Sequence, residues 1–471
     1  MAPSTEASAC INPTPTKARV IIIGAGIGGM VFAALMERAG IDYQVFERAA
    51  KVKPLGSALS IGSNVMPLFE QLGILDEVLE NGNPFGFSTG YNEKREATRT
   101  LDYSPAENIG GFLPHIISRP ILVDIISKLV PAHKVFYSKK IISCKQDDKG
   151  VIIACSDNTS YQADIVVGAD GAYSSVRENL YKQLAALGKL PKSDGLELPF
   201  NSTCLVGQTQ PLDPEVYVHL KDNHSWFETT VSEDKPYAWV TFTTKHNTIC
   251  WMVLQQLDKE TSKETDTSEW GPEAAGTMCE EIKDFPVPRN GMTLGDLIDL
   301  TPKEYISKVM LEEKLFNTWY GGRMVLLGDG AVSAMQDAVT LANCIYELPE
   351  HPTTAEITNS FKLYQEERYP LAKTAFETSR RLASLIGQNW YNTLLRAVMK
   401  YMPKSAFVKS LSVMYSYRPQ VSFLQPAQDR GMETPAPQPS LVRARANAEA
   451  RAAKAAKEPK ETVITNDAQV V

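Results

Sequence analysis

The sequence predicts an α/β protein: a nucleotide-binding domain on a parallel sheet, a second domain of mostly antiparallel sheet, and a C-terminal helical region. Three observations carry this. Short β-branched runs alternate with helical stretches from Lys17 to about Gly171. Alternating stretches recur between about Pro199 and Leu257, and residues 355–418 are largely helical in pattern, with a break near Met402-Pro403.

In the first region the runs RVIIIG, YQVFE and DIVVGAD are the clearest strands. Each is nearly all apolar, as strands covered on both faces must be. In the second, STCLVGQT, YAWVTFTT and TICWMVLQQL read as antiparallel strands, and LDKETSKETDTSEWGPE (257–273) is too polar to pack and reads as an exposed loop. The strand–turn–helix pattern resumes at Met324 to Leu348. The expected division is a disordered arm at 1–16, the first part of the nucleotide-binding domain at 17–198, and the substrate domain at 199–315. The second part of the nucleotide-binding domain follows at 316–355, C-terminal helices at 356–425, and a tail at 426–471. That tail is rich in Pro, Gln, Ala, Lys and Glu and reads as disordered or as a loose surface helix.

Composition narrows the function. With 43% hydrophobic and 22% charged residues in a 471-residue chain, the protein has the make-up of a soluble globular one. A net charge of −7 argues against nucleic acid as a general partner, a role that needs a basic face. Seven scattered cysteines without a CxxC pair read as reduced thiols, and six scattered histidines offer no metal-ligand spacing, so no metal is expected. The first sixteen residues lack the apolar run of a signal peptide. The longest apolar stretch, Val20 to Met36, is interrupted by four glycines, which suits a strand–turn–helix rather than a membrane span. The expected location is cytoplasmic.

The strongest motif is Gly24-Ala-Gly26-Ile-Gly28-Gly29, directly after RVIII and before MVFAALMERAG. In that setting Gly24 permits a tight turn, Gly26 lets a pyrophosphate approach the backbone, and Gly29 allows close helix–strand packing. The free N–H groups at the helix start then face the phosphate charge. Glu47 ends the second strand eighteen residues beyond Gly29, where an acid reaches ribose hydroxyls. Arg48, beside it, joins the candidate set. The pattern fits FAD or NAD equally.

Further residues separate the two. Asp164-Ile-Val-Val-Gly-Ala-Asp170-Gly171 runs on through Ser174 to Arg177; Arg119 precedes Pro120 at a helix start; Gly56-Ser57-Ala58 and Arg323-Met-Val-Leu-Leu-Gly328-Asp329 complete the set. Over about Lys17 to Leu424 the chain resembles the single-component FAD-dependent aromatic hydroxylases and the fungal FAD-dependent monooxygenases that epoxidise or hydroxylate terpenoid and polyketide intermediates. The resemblance implies a Rossmann-like FAD-binding domain. It places Asp170 and Gly171 near the FAD pyrophosphate and NAD(P)H, Arg119 near the ribityl and phosphate region, Gly56 and Ala58 beside the cofactor, and Asp329 on the ribityl chain. Taken alone, Asp170-Gly171 also reads as a strand-ending turn and Arg177 as either a phosphate-matched cation or a surface ion pair.

One departure stands out. Between Asp329 and Ala331 the family carries an Ala-x-His segment, a proline and a Gly-x-Gly turn; here only Gly330 remains. That loop spaces the next helix so its positive end faces the flavin, and its loss predicts a helix start drawn against the ribityl aspartate. The implied activity uses bound FAD, transient NADPH or NADH, and O2 to place one oxygen atom on an apolar substrate. The other reading is an FAD-binding protein of the same fold without oxygenation: a reductase, an oxidase or an inactive remnant. No catalytic side chain is assigned, because the cofactor carries the chemistry.

Two stretches bear on the substrate. Trp226, Trp239 and Trp251 lie in the second sheet and read as pocket lining or as core. The segment 380–417 spaces Leu382, Leu385, Ile386, Trp390, Leu394, Val398 and Tyr401 helically, with Lys400, Lys404 and Lys409 nearby. Docking on the protein itself is the favoured reading of that stripe, and peripheral contact with a membrane surface the second.

Overall fold

The computed structural model describes residues 18–51, 58–196, 198, 200–257, 275–312, 314–328, 330–384, 386 and 401–455, with 392, 394, 396 and 398. The expected arm at 1–16, most of the polar loop at 257–273, Gly56 and Asp329 lie outside them.

Val20–Ile23 is the centre of a six-stranded sheet. It pairs in parallel with Tyr43–Phe46 on one side and Ile165–Gly168 on the other. Met324–Leu326 extends the sheet in parallel beyond Ile165–Gly168, and Val135–Phe136 extends it beyond Tyr43–Phe46. The alternation of a strand divides the side chains between two cores: Val20 and Ile22 enter one apolar cluster, Ile21 and Ile23 another. Each fully buried isoleucine contributes about 1.5–3 kcal/mol, which explains why no polar residue interrupts the run.

Helix α1 (Ile27–Ala39) returns over this sheet and ends at Gly40, whose φ of 64° closes it in the left-handed conformation. Helix α2 (Arg119–Ser127) opens with proline at its first turn, and helix α3 (Ser175–Ala186) follows the strand Ile165–Gly168. Helix α4 (Ala331–Tyr346) lies beside α1 so closely that a Cβ on Gly28 would stand 2.8 Å from the Ala334 Cβ.

The second sheet has seven strands in the order Ser307–Glu312, Phe200–Gln208, Ile249–Gln256, Tyr237–Thr243, Phe227–Val231, Phe87–Tyr91, Ala97–Asp102. Its pairs are antiparallel except Phe227–Val231 with Phe87–Tyr91. The hairpin of residues 87–102 therefore leaves the first segment of the chain and joins the sheet of the second. The alternation of Leu205, Trp251 and Val253 with Val206 and Met252 sends the first set into a core against the helices of residues 276–299. The second set faces the nucleotide-binding side.

Helix α5 (Thr354–Ser384) and helix α6 (Lys404–Ser416) supply the helical region. Of the two states expected of the tail, the helix is the one found over residues 439–455. Residues 426–455 are ordered, and helix α7 (Pro439–Ala455) packs on α4. Burial of polar groups accounts for the order. Arg418 donates to the Glu433 carbonyl, Gln438 exchanges bonds with Gln420, and the Ser440 N–H donates to Glu367 at 2.6 Å. Among the described cysteines, Cys144, Cys155, Cys204, Cys279 and Cys344 are free thiols.

Candidate functional site

One cleft of about 1790 Å³ opens between the two sheets. Its floor is the Gly24 turn. Gly24 sits at φ 107°, and a Cβ there would lie 2.3 Å from the Ala169 carbonyl oxygen, so only glycine permits the turn. A Cβ on Gly29 would stand 2.0 Å from the Gly24 oxygen; this residue sets the packing of helix on turn and does not line the cleft. A Cβ on Gly26 meets nothing within 4 Å and would project into open space, which leaves room for a ligand to approach the backbone.

Glu47 is held in place before any ligand arrives. One carboxylate oxygen accepts from the Ala25 N–H at 2.9 Å and the other from the Ala49 N–H at 2.8 Å. Both oxygens keep further lone pairs for hydroxyl donors. The residues that cap the starts of α1 and α4, Gly26 and Gly330, have no side chain to accept from the helix. Among the described residues no side chain accepts from either set of first-turn N–H groups, and Gly26, Ile27, Ala331 and Ala334 all line the cleft.

Arg119 reaches the cleft from the first turn of α2. Among the described residues it has no carboxylate or hydrogen-bond partner, and desolvation by the surrounding walls pulls its pKa below the ordinary arginine value. A cation kept without a counterion in a cleft is matched to an anion from solution.

Asp170 lines the cleft but is committed to its own helix. Its oxygens accept from the Ser174 hydroxyl (2.5 Å), the Ser175 N–H (2.7 Å) and the Ser175 hydroxyl (2.9 Å), capping α3. The expectation of Arg177 as a phosphate cation is corrected. It donates to the Ala172 carbonyl at 2.6 Å and stacks on Phe316 at 4.6 Å, outside the cleft. Gly171, with φ 78°, turns the backbone at the cleft wall.

Arg48, Ala58, Gly328 and Ala331 also line the same cleft. The Gly328 N–H donates to Asp337 at 3.0 Å, and Asp337 accepts from the Arg368 Nε at 2.6 Å in a pair whose side chains are 2% and 1% exposed. Arg368 also donates to Gln336 at 3.1 Å and lies over the Tyr417 ring at 5.0 Å. Burial alone would lower the guanidinium's pKa; the Asp337 carboxylate outweighs it and raises the pKa above the ordinary value.

The far wall was not anticipated. Val206, Met252, Ser307 and Val309 present the apolar side of the second sheet to the cleft. Period-two alternation marks these positions in the sequence, but nothing local says which face meets a ligand. The tryptophans are elsewhere. Trp239 donates to the Pro286 carbonyl and Trp251 to Thr301 within the opposite core, and Trp226 stacks under Arg289 at 3.6 Å. Among the described residues no three His, Cys, Asp or Glu side chains gather to hold a metal, and no helix is long and apolar enough to cross a membrane.

A glycine turn, a preset acid and a cation without a partner among the described residues face an apolar sheet across one cleft, an arrangement with the chemistry a dinucleotide requires. Residues 17–379 match the model of the FAD binding domain family, and the chain belongs to that family. Among curated proteins it is 28% identical over 389 residues to the FAD-dependent monooxygenase paxM of Penicillium paxilli, covering 77% of this chain and 78% of that one. It is 27% identical over 433 residues to the FAD-dependent monooxygenase atmM of Aspergillus flavus, covering 86% of each. Among solved structures it resembles Klebsiella pneumoniae HpxO complexed with FAD and uric acid, with a TM-score of 0.67 and 18% identity over 84% of this chain and 97% of that one. It also resembles CtdE in complex with FAD and a substrate, with a TM-score of 0.64 and 17% identity over 85% of this chain and 100% of that one. The chain is thus an FAD-binding flavoprotein, and its resemblance to the fungal FAD-dependent monooxygenases holds.

Proposed function

We propose that this protein is an FAD-dependent monooxygenase that consumes NADPH or NADH and O2 to hydroxylate or epoxidise an apolar secondary metabolite or an aromatic substrate. One observation carries the reading: a single cleft has its charged and turn-forming residues on one wall and Val206, Met252 and Val309 on the other. A charged dinucleotide and an apolar molecule fit side by side in such a space.

FAD would be held by Gly24, Gly26 and the α1 N-terminus at its phosphates, by Glu47 at ribose hydroxyls, and by Arg119 as counter-cation. Arg48, Ala58, Asp170, Gly171, Gly328, Asp329 and Ala331 complete the set, with Gly29 and Gly56 supporting it. Bound FAD supplies the passage of reducing equivalents from nicotinamide to dioxygen and the activation of oxygen for transfer. The chain's part is positional. Glu47 arrives pre-oriented by two backbone donors. The uncapped start of α4 offers its N–H groups to negative charge in the cleft. The apolar sheet displaces water around the substrate. No side chain is assigned a proton-transfer step.

The purified protein should carry visible flavin absorbance. NAD(P)H consumption should place one labelled atom from 18O2 in an apolar product. Flavin binding with only peroxide released, across a panel of apolar acceptors, would favour the second reading, a non-oxygenating flavoprotein of the same fold. That reading has its own support: α4 starts at Ala331, with Gly330 alone standing where the resemblance implies a longer loop.

A further inference from the structure

Between Glu377 and Asp429 the chain carries no acidic residue at all, while residues 380–417 hold Arg380, Arg381, Arg396, Lys400, Lys404 and Lys409, in a chain whose net charge is −7. The same segment exposes apolar side chains. Tyr401 is 78% exposed and Val398 59%, and Leu394, Val413 and Met414 are exposed as well. Val398, Tyr401, Met402 and Pro403 line an open apolar hollow of about 460 Å³.

Helix α6 shows how this surface is held outward. Its inner face, Leu411 and Tyr415 with Phe407, packs on Ala106, Ile109 and Tyr103. Lys409, Ser410, Val413 and Met414 are left on the opposite face, three or four residues apart. Lys404 and Lys409 are exposed and have no ion-pair or hydrogen-bond partner among the described residues. The segment is anchored as well, since Arg99 donates to the Met402 carbonyl at 3.2 Å.

We propose that this face docks on an anionic lipid bilayer, with Tyr401, Val398 and Met414 entering the headgroup region and Lys404 and Lys409 meeting lipid phosphates and carboxylates. Charge selects this occupant. Two copies meeting through this same face would bring Lys404 and Lys409 against their counterparts, whereas an anionic surface neutralises these lysines and accepts the apolar groups between them. The position also fits. Tyr103 meets Phe407 edge-on at 5.2 Å and Phe85 at 5.0 Å. The Phe85 cluster is packed against Ala58 and Met252, which line the main cleft. Apolar contacts thus lead from the docking face to the wall where a lipophilic substrate would lie.

The test is co-sedimentation of the full-length, FAD-loaded protein with vesicles of phosphatidylcholine alone and of phosphatidylcholine with phosphatidylserine. The expected result is binding to the anionic vesicles at least tenfold tighter than to the neutral ones, weakening as salt is raised. Lys404→Gln with Lys409→Gln should weaken it about 30-fold, taking the usual contribution of a lysine at such a surface. Tyr401→Ser should weaken it too, with the circular dichroism and flavin absorbance of all variants unchanged. Equal partition onto both vesicle types, no binding to either, or anionic binding untouched by these variants would overturn the proposal. So would a dimer by light scattering that the same variants dissociate. Vesicle binding is read without turnover, so its failure is distinct from failure of the oxygenation reading.

Discussion

Replacing Arg368 by methionine isolates the buried pair behind the cleft. The guanidinium is 1% exposed and holds Asp337 through its Nε at 2.6 Å, while Asp337 in turn accepts the Gly328 N–H that leads into the cleft wall. Methionine fills much of the arginine's volume but leaves Asp337 as a buried carboxylate without its cation. Such an orphaned charge costs about 3–5 kcal/mol. Lys221→Ala, which removes an exposed pair with Glu215 (side chains 44% and 77% exposed), should cost about 0–1 kcal/mol. Denaturant unfolding followed by circular dichroism measures both. The double variant Arg368→Met with Asp337→Asn should cost less than the sum of its single variants, because the second change removes the stranded charge. If Arg368→Met destabilised the protein no more than Lys221→Ala, or if the double variant were simply additive, the pair would not be the keystone described.

Other outcomes follow from the cleft and the tail. Arg119→Met should weaken FAD binding roughly 10- to 100-fold, the worth of one charge-assisted hydrogen bond, as read by flavin retained on gel filtration; unchanged retention would remove Arg119 from the site. Gly26→Ala and Gly29→Ala should separate binding from folding. The first has open space and should lose flavin while keeping its circular dichroism; the second drives a methyl to 2.0 Å from the Gly24 oxygen and should destabilise the fold by about 1–3 kcal/mol or more. The tail contact should depend on pH. The Arg430 hydrogen bond, against an opposing desolvation, holds the Glu70 pKa below its ordinary value of 4.5. Its contribution is therefore complete above that value and is lost as the pH falls through the depressed one. Proteolytic nicking between residues 425 and 438 should rise in the wild type as the pH is taken below the ordinary glutamate value and through the depressed one, whereas Glu70→Gln should remove most of that change.

The nucleotide half was legible because its signals are local. The run VIII, the glycine turn, Glu47 at a strand end and Arg119-Pro120 at a helix start each lie where adjacent residues place them. The second sheet was legible as strands, since alternation marks Phe200–Gln208, Tyr237–Thr243 and Ile249–Gln256. Its partners were not. The pairing of Phe87–Tyr91 with Phe227–Val231 joins strands some 140 residues apart, and no local pattern encodes it. The role of Arg177 misled for a related reason: a cation beside an Asp-Gly turn suits a phosphate, but the Ala172 carbonyl and the Phe316 ring were nearer. Composition left the tail between disorder and a surface helix. Its few polar groups that become buried, Gln438 and Ser440 above all, decide its order, and averages over the segment conceal them.

That clasp has a consequence for biosynthesis. Asn343 of α4 bonds to the Gln420 carbonyl at 2.9 Å and the Ser422 N–H at 2.8 Å, and Glu367 joins Tyr417 to Ser440. Synthesis runs from the N-terminus, so α4 emerges from the ribosome with these partners still untranslated. A chain stopped before residue 417 exposes Thr340 and Asn343 to water. That flank is therefore completed only after residues 417–440 have been made, and a chain truncated before them lacks the partners of Thr340 and Asn343 while keeping every residue that lines the cleft.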